Sequence, residues 1–141
     1  MPGKKRNPFK LREFRGVNPE FIAKLEAQGL KTAEQMLSAG RTRRQRAILA
    51  KESGVPEKAV LELVQLSDLA RLPGVKGIRA RLYHDAGVDS VAKMAAWEPE
   101  ALRRMVTEYV ERTGFEGVPP LPKEVSSTVA NAQKLPKVME D

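Results

Sequence analysis

Apolar positions recur at helical spacing along the whole chain, and no stretch alternates apolar and polar residues as a half-buried strand would. The clearest case runs from Leu69 to Ser90. Leu69 and Leu72 lie three apart on one helical face, and Pro73 and Gly74 stop that helix. Val75 is apolar inside the turn and is expected to point back into the core. Gly77 lets the next helix start close to the turn, with Ala80 and Tyr83 on its apolar face. Gly87 ends this helix, and Asp89 or Ser90 caps the one after it. The same pattern stands 58 residues earlier: Leu11, Phe14, Gly16, Val17, Leu25, Gly29, Leu30 and Thr32 match Leu69, Leu72, Gly74, Val75, Tyr83, Gly87, Val88 and Ser90. The glycines coincide and the apolar class holds, which predicts an internal repeat and two related halves.

Between and after these stretches the chain reads as short helices with local starts and stops. Pro19 suits the first position of a helix whose buried face is Phe21, Ile22 and Leu25. Thr32 reads as a plain cap, since the acid Glu34 stands two residues on rather than three, for a helix carrying Met36 and Leu37 and stopped by Gly40. Thr42 begins a basic helix ended by Gly54. Pro56 is placed at the first position of a helix through Val60, Leu61, Leu63, Val64 and Leu66; its apolar positions are almost continuous, so it is expected to be the central, most buried helix. Glu98-Pro99-Glu100 opens another, with Leu102, Met105, Val106, Tyr109 and Val110 at 3.6 spacing and Gly114 as its stop. A loop through Gly117 follows, for which Leu121 is the expected anchor. A last helix starts at Pro122 and stops at Pro136. The expected fold is all-α with about eight short helices. It is divided into a basic flexible arm (1–10), a first unit with the basic linker helix and the central helix (11–68), a second unit with closing helices (69–138) and a tail (139–141).

Composition narrows the class. The 141 residues are 41% hydrophobic and 5% aromatic, enough for a core built mainly of Leu, Val and Ala. No cysteine is present, which excludes disulfides and thiolate metal sites. No apolar run approaches a membrane-spanning length and the first residues lack an apolar signal core, so a cytoplasmic protein without a membrane partner is expected. The net charge of +7 is unevenly placed: residues 1–58 hold 14 Lys/Arg against 6 Asp/Glu, and residues 59–141 hold 11 against 12. A basic half of this kind attracts nucleic acid or acidic protein surfaces, or merely solvates a tail and one helix face.

The apolar-x-x-apolar-x-Gly-apolar-Gly core resembles that of the helix-hairpin-helix superfamily. More specifically, the chain resembles the bacterial and archaeal family known as domain of unknown function 4332. The residues that carry this are Gly16-Val17, Arg43 to Lys51, Asp68-Leu69-Ala70-Arg71 with Gly74-Val75, Ala86 to Asp89, Glu98 to Leu102, and Leu121-Pro122 through Ala132 to Pro136. The resemblance covers roughly residues 11–138. It implies a tandem helix-hairpin-helix, SAM-domain-like fold, and the family label carries no activity.

In DNA-binding members of that superfamily, hairpin N–H groups at a helix start hold a phosphate. At the first hairpin, Gly16-Val17-Asn18-Pro19, proline has no N–H to offer, and the site reads as degenerate. The second, Gly74, Val75, Lys76 and Gly77, keeps its N–H groups and adds Lys76 and Arg79 as phosphate contacts, although Lys76 stands where glycine is usual. Further basic candidates are Lys4, Lys5 and Arg6 in the arm and Arg41, Arg43, Arg44 and Arg46 at the linker helix, with no stacking aromatics among them. The competing reading, which the residues slightly favour, is that both hairpins are purely structural turns. His84 beside Asp85 is the one acid–base pair in view. It lacks a nucleophile or a metal-ligand cluster around it, and a helix-end histidine is the commoner case. Trp97 and Tyr109 read as packing residues. The expectation is therefore a non-enzymatic module, without cofactor or metal, that binds the backbone of DNA or RNA. The alternative is an adaptor whose basic half docks an acidic protein partner or self-associates.

Overall fold

A computed structural model of the chain describes residues 8–141. Among them the structure is all-α, with a 3-10 turn at Leu11–Glu13 and eight helices: α1 (Pro19–Ala27), α2 (Ala33–Ala39), α3 (Arg43–Ser53), α4 (Glu57–Leu69), α5 (Gly77–Asp85), α6 (Val91–Ala95), α7 (Pro99–Thr113) and α8 (Pro122–Lys134). No β-ladder forms among the described residues; one isolated bridge pairs Lys10 with Thr32.

Local chemistry sets the helix ends. The Asn18 side chain accepts from the Glu20 N–H, Ser90 from Lys93, and Glu98 from both Glu100 and Ala101. Thr32 and Thr42 are more than plain caps. Gln35 and Gln45 stand at the third helical position and reach back to the cap N–H, closing reciprocal capping boxes. At Thr32 the side-chain amide of Gln35 takes the part a carboxylate would play. Pro56 precedes α4 as its cap residue rather than occupying its first position.

Helix α4 is central, as its almost continuous apolar pattern requires. Val60, Leu63, Val64, Leu66 and Leu69 are buried, and it packs against α2, α3 and α5. Helix α8 packs on α6 and α7 through Val125, Val129 and Ala132. Asp68 near the end of α4 couples the two groups. Its buried carboxylate accepts from Arg71 Nε (2.9 Å) and Nη2 (2.7 Å) and from the Val91 N–H at the start of α6 (2.8 Å). Arg71 also donates to the Pro136 carbonyl. A buried carboxylate so partnered ties α4, α6 and the end of α8 together at little net desolvation cost.

Helices α1 and α5 have equal length, and both their ends are displaced by 58 residues, as are the starts of α2 and α6. Leu25 and Tyr83, and Met36 and Met94, are matched pairs at that spacing and all four are fully buried. In the loop before α8 the anchor is Pro120, not Leu121, which is 70% exposed. Leu121 directly precedes Pro122, and the turn into the helix sends its side chain outward.

Candidate nucleic-acid interface

The turn before α1 and the turn before α5 pack against each other. Gly77 opens α5 directly beneath the Glu13 carbonyl: a Cβ at Gly77 would stand 2.5 Å from that oxygen, so only glycine permits the approach. In the other direction Arg81 of α5 reaches across to the first turn. Its Nε donates to the Arg15 carbonyl at 2.7 Å, and its guanidinium lies against Gly16, where a Cβ would be 3.0 Å from Nε. Arg81 also pairs with Glu62 and Asp85, both at 3.1 Å, and is 8% exposed. Arg81-x-x-x-Asp85 at helical spacing is the sequence signal of this intrahelical pair, whereas the reach to the Arg15 carbonyl has no local signal.

The start of α5 is open. Lys76 supplies no side-chain cap, and among the described residues no hydrogen bond uses the N–H groups of Gly77, Ile78 or Arg79. These amides and the positive end of the helix dipole face a shallow hollow of about 410 Å³ lined by Phe9, Glu13, Arg15, Lys76, Ile78 and Arg79. Lys76 Nζ donates to the Ala70 carbonyl at 3.1 Å and lies 5.7 Å above the Phe9 ring, which itself packs edge-on against Phe14. Lys76 and Arg15 remain solvent-exposed. Val75 is buried, so only its backbone is presented.

Arg79 is already committed. Its guanidinium forms a two-pronged pair with Glu124 of α8 (2.7 and 3.2 Å) and donates to the Val118 carbonyl at 2.6 Å. It pins the loop and α8 to α5, and a phosphate would have to displace a bidentate carboxylate to reach it.

The basic linker helix α3 also divides. Arg41 and Arg44 are exposed. Arg46, expected on the same charged surface, is 3% exposed and donates to the carbonyls of Gly40 (2.8 Å) and Asp141 (3.2 Å). Its position one turn into α3 points it at the groove between α3 and the end of the chain. Burial pulls its guanidinium below the ordinary arginine value, and the nearby Glu140 carboxylate opposes that shift. Arg43 donates from Nε to the Asp141 carbonyl and from its N–H to Glu140. Residues 139–141, expected as a tail, are docked here, with Met139 buried. Lys4, Lys5 and Arg6 lie outside the described residues.

His84 lies half-buried near the end of α5. It spans Gln65 of α4 (Nε2, 2.8 Å) and its neighbour Asp85 (Nδ1, 3.1 Å). Among the described residues no group of His, Asp and Glu is placed to hold a metal ion, and no helix is long and apolar enough to cross a membrane. Trp97 and Tyr109 are half-buried against the core.

A family model described as domain of unknown function (DUF4332) matches residues 15–135. No curated protein and no solved structure matches the chain.

Proposed function

The chain belongs to the DUF4332 family, a membership that carries no activity, and from that premise we propose that it is a non-enzymatic tandem helix-hairpin-helix module that binds the phosphate backbone of DNA or RNA with little sequence preference. The two hairpin units are the segments around α1 and α5. The equal length of those helices, their displacement by 58 residues and the packing of one turn on the other support that reading.

The observation that carries the functional part is the open start of α5. Three backbone N–H groups, uncapped and at a helix N-terminus, face a hollow flanked by the exposed Lys76 and Arg15. Such a site suits one phosphate group: the amides and the dipole neutralise its oxygens, and the two cations add attraction that draws a polyanion in. Arg41, just before α3, and Arg44 on it extend the positive surface. Because phosphate contacts orient the backbone without reading base edges, weak sequence preference follows.

The test is fluorescence anisotropy with labelled duplex and single-stranded DNA and RNA, at low and then at physiological salt. Binding should weaken steeply with salt, and Lys76→Glu together with Arg15→Glu should reduce the salt slope by about one per lost phosphate contact. Arg46 is left untouched, since charge reversal at a buried position tests folding instead. No binding at low salt sinks the proposal.

A second reading, a protein-interaction adaptor, draws on one feature. Val118 and Leu121 are 73% and 70% exposed, and Ile78 lies against Gly117 beside them. Apolar side chains exposed next to a cationic hollow suit an acidic, partly apolar partner segment or a second copy of the chain. Val118→Ser with Leu121→Ser would abolish such an interaction and leave nucleic-acid affinity unchanged.

A further inference from the structure

The chain's own acidic end occupies the positive corner at the start of α3. The Glu140 carboxylate accepts from the Arg43 N–H at 3.0 Å, the first free amide of that eleven-residue helix. The Asp141 carbonyl accepts from Arg43 Nε at 2.7 Å and Arg46 Nη2 at 3.2 Å, and the Glu140 N–H donates to the Arg41 carbonyl at 2.7 Å. Oxygens thus stand on a helix-start amide and two guanidinium groups, the arrangement in which a phosphate presents its own oxygens. Met139 of this segment is buried. Beyond it, Glu140 and Asp141 are exposed and border an open hollow of about 850 Å³ between Arg41–Arg43 and Lys137–Asp141.

We propose that Glu140 and Asp141 form a displaceable strap over a second phosphate site, made by the Arg43 N–H and the side chains of Arg41 and Arg43, and that nucleic acid binds there by exchanging its phosphate for the strap. This rests on the nucleic-acid reading above. The strap is an intramolecular competitor: it satisfies the corner in the free protein, and its loss must be offset by each phosphate that enters. Met139 keeps the segment nearby, so the strap returns when the polyanion leaves. The site differs from the α5 hollow, with which it shares no lining residue.

The experiment compares the full chain with Glu140→Gln and with Glu108→Gln, which makes the same change of charge at an exposed position on α7. Affinity for labelled duplex DNA is measured by anisotropy at two salt concentrations. Hydrogen exchange at the Glu140 amide is followed as unlabelled duplex is added to the unaltered chain. The expected result is an affinity about fivefold tighter for Glu140→Gln than for Glu108→Gln, with the Glu140 amide losing protection as DNA binds. Equal affinities for the two variants overturn the strap and leave the nucleic-acid reading standing. Tighter binding by Glu140→Gln while the Glu140 amide stays protected also overturns it, since charge alone then accounts for the gain. No binding by Glu140→Gln at low salt overturns both.

Discussion

At the first turn, Asn18 caps α1 by accepting from the Glu20 N–H, Pro19 offers no N–H, and Gly16 is covered by the guanidinium of Arg81. At the second turn, 58 residues on, Lys76 and Gly77 stand in those two places, α5 has no side-chain cap, and Gly74 meets nothing within 4 Å. The backbone is alike in both: Gly16 and Gly74 have φ of +73° and +80°, and the following helices have equal length. The two turns pack on each other, and only the second leaves its helix start without a side-chain cap. Three side chains make the difference. Asn18 satisfies a helix-start donor that Lys76 leaves free, Pro19 removes one that Gly77 keeps, and Arg81 reaches a partner turn that its counterpart Ala23 is too short to reach. Two turns of similar backbone therefore differ in which of their amides are already spoken for.

The sharpest way to break this arrangement is Gly77→Ala. The new methyl would meet the Glu13 carbonyl, so the two turns must separate, at a cost of about 2–3 kcal/mol in urea unfolding. Gly74→Ala meets no neighbour and bears only the strain of its positive φ, about 1 kcal/mol. Equal losses for the two would mean that the turn-to-turn contact contributes nothing. Arg81→Met keeps much of the packing volume and removes the hydrogen bonds to Arg15, Glu62 and Asp85. An unfolding free energy lower by about 2 kcal/mol is expected, because the Arg15 carbonyl loses its donor.

Lys76→Glu should weaken nucleic-acid binding about tenfold and shift the urea midpoint far less than Gly77→Ala, since Lys76 is exposed and gives up only its bond to the Ala70 carbonyl and its contact with Phe9. Asn18→Ala reverses that pattern: a lost cap costs about 1 kcal/mol of stability and leaves affinity unchanged. If Asn18→Ala weakened binding as much as Lys76→Glu does, the first turn would be a binding surface too.

The smallest effect concerns a matched core pair. Leu25 of α1 corresponds to Tyr83 of α5, whose hydroxyl is buried beside Thr128. Burial, reinforced by the Glu124 carboxylate, pushes the Tyr83 pKa up to about 12. The fold favours the neutral phenol, so this contribution is fully present below about pH 10, the unfolded tyrosine value, and is lost as pH rises through 12. Ultraviolet titration of the Tyr109→Phe background should show that midpoint. Tyr83→Phe should remove the alkaline loss and leave stability near neutrality almost unchanged.

Much of the fold was legible because helix ends are local. Pro19, Thr42, Gly54, Ser90, Glu98, Gly114 and Pro122 each act within a few residues of themselves, and each marks an observed boundary. The capping boxes at Thr32 and Thr42 are equally local: a glutamine at the third helical position closes each one as a glutamate would. The candidate site was less legible. Lys76 and Gly77 could be picked out by residue type, but a sequence of arginines does not say which of them faces water. Arg46 and Arg79 looked as available as Arg44, and Leu121 looked more buried than Pro120.

The sequence by itself determined the helical class, the boundaries, the central place of α4 and the spacing of the two turns, because propensity, capping and 3.6 periodicity act over one or two turns of chain. Only the tertiary structure decided the fate of each cation. Arg81 finds the Arg15 carbonyl 66 residues away, Arg79 finds Glu124 at 45, and Arg46 finds the Asp141 carbonyl at 95. A long charged side chain takes whichever acceptor folding brings within about 3 Å, and that neighbour is set by how helices pack rather than by the residues beside it in the chain.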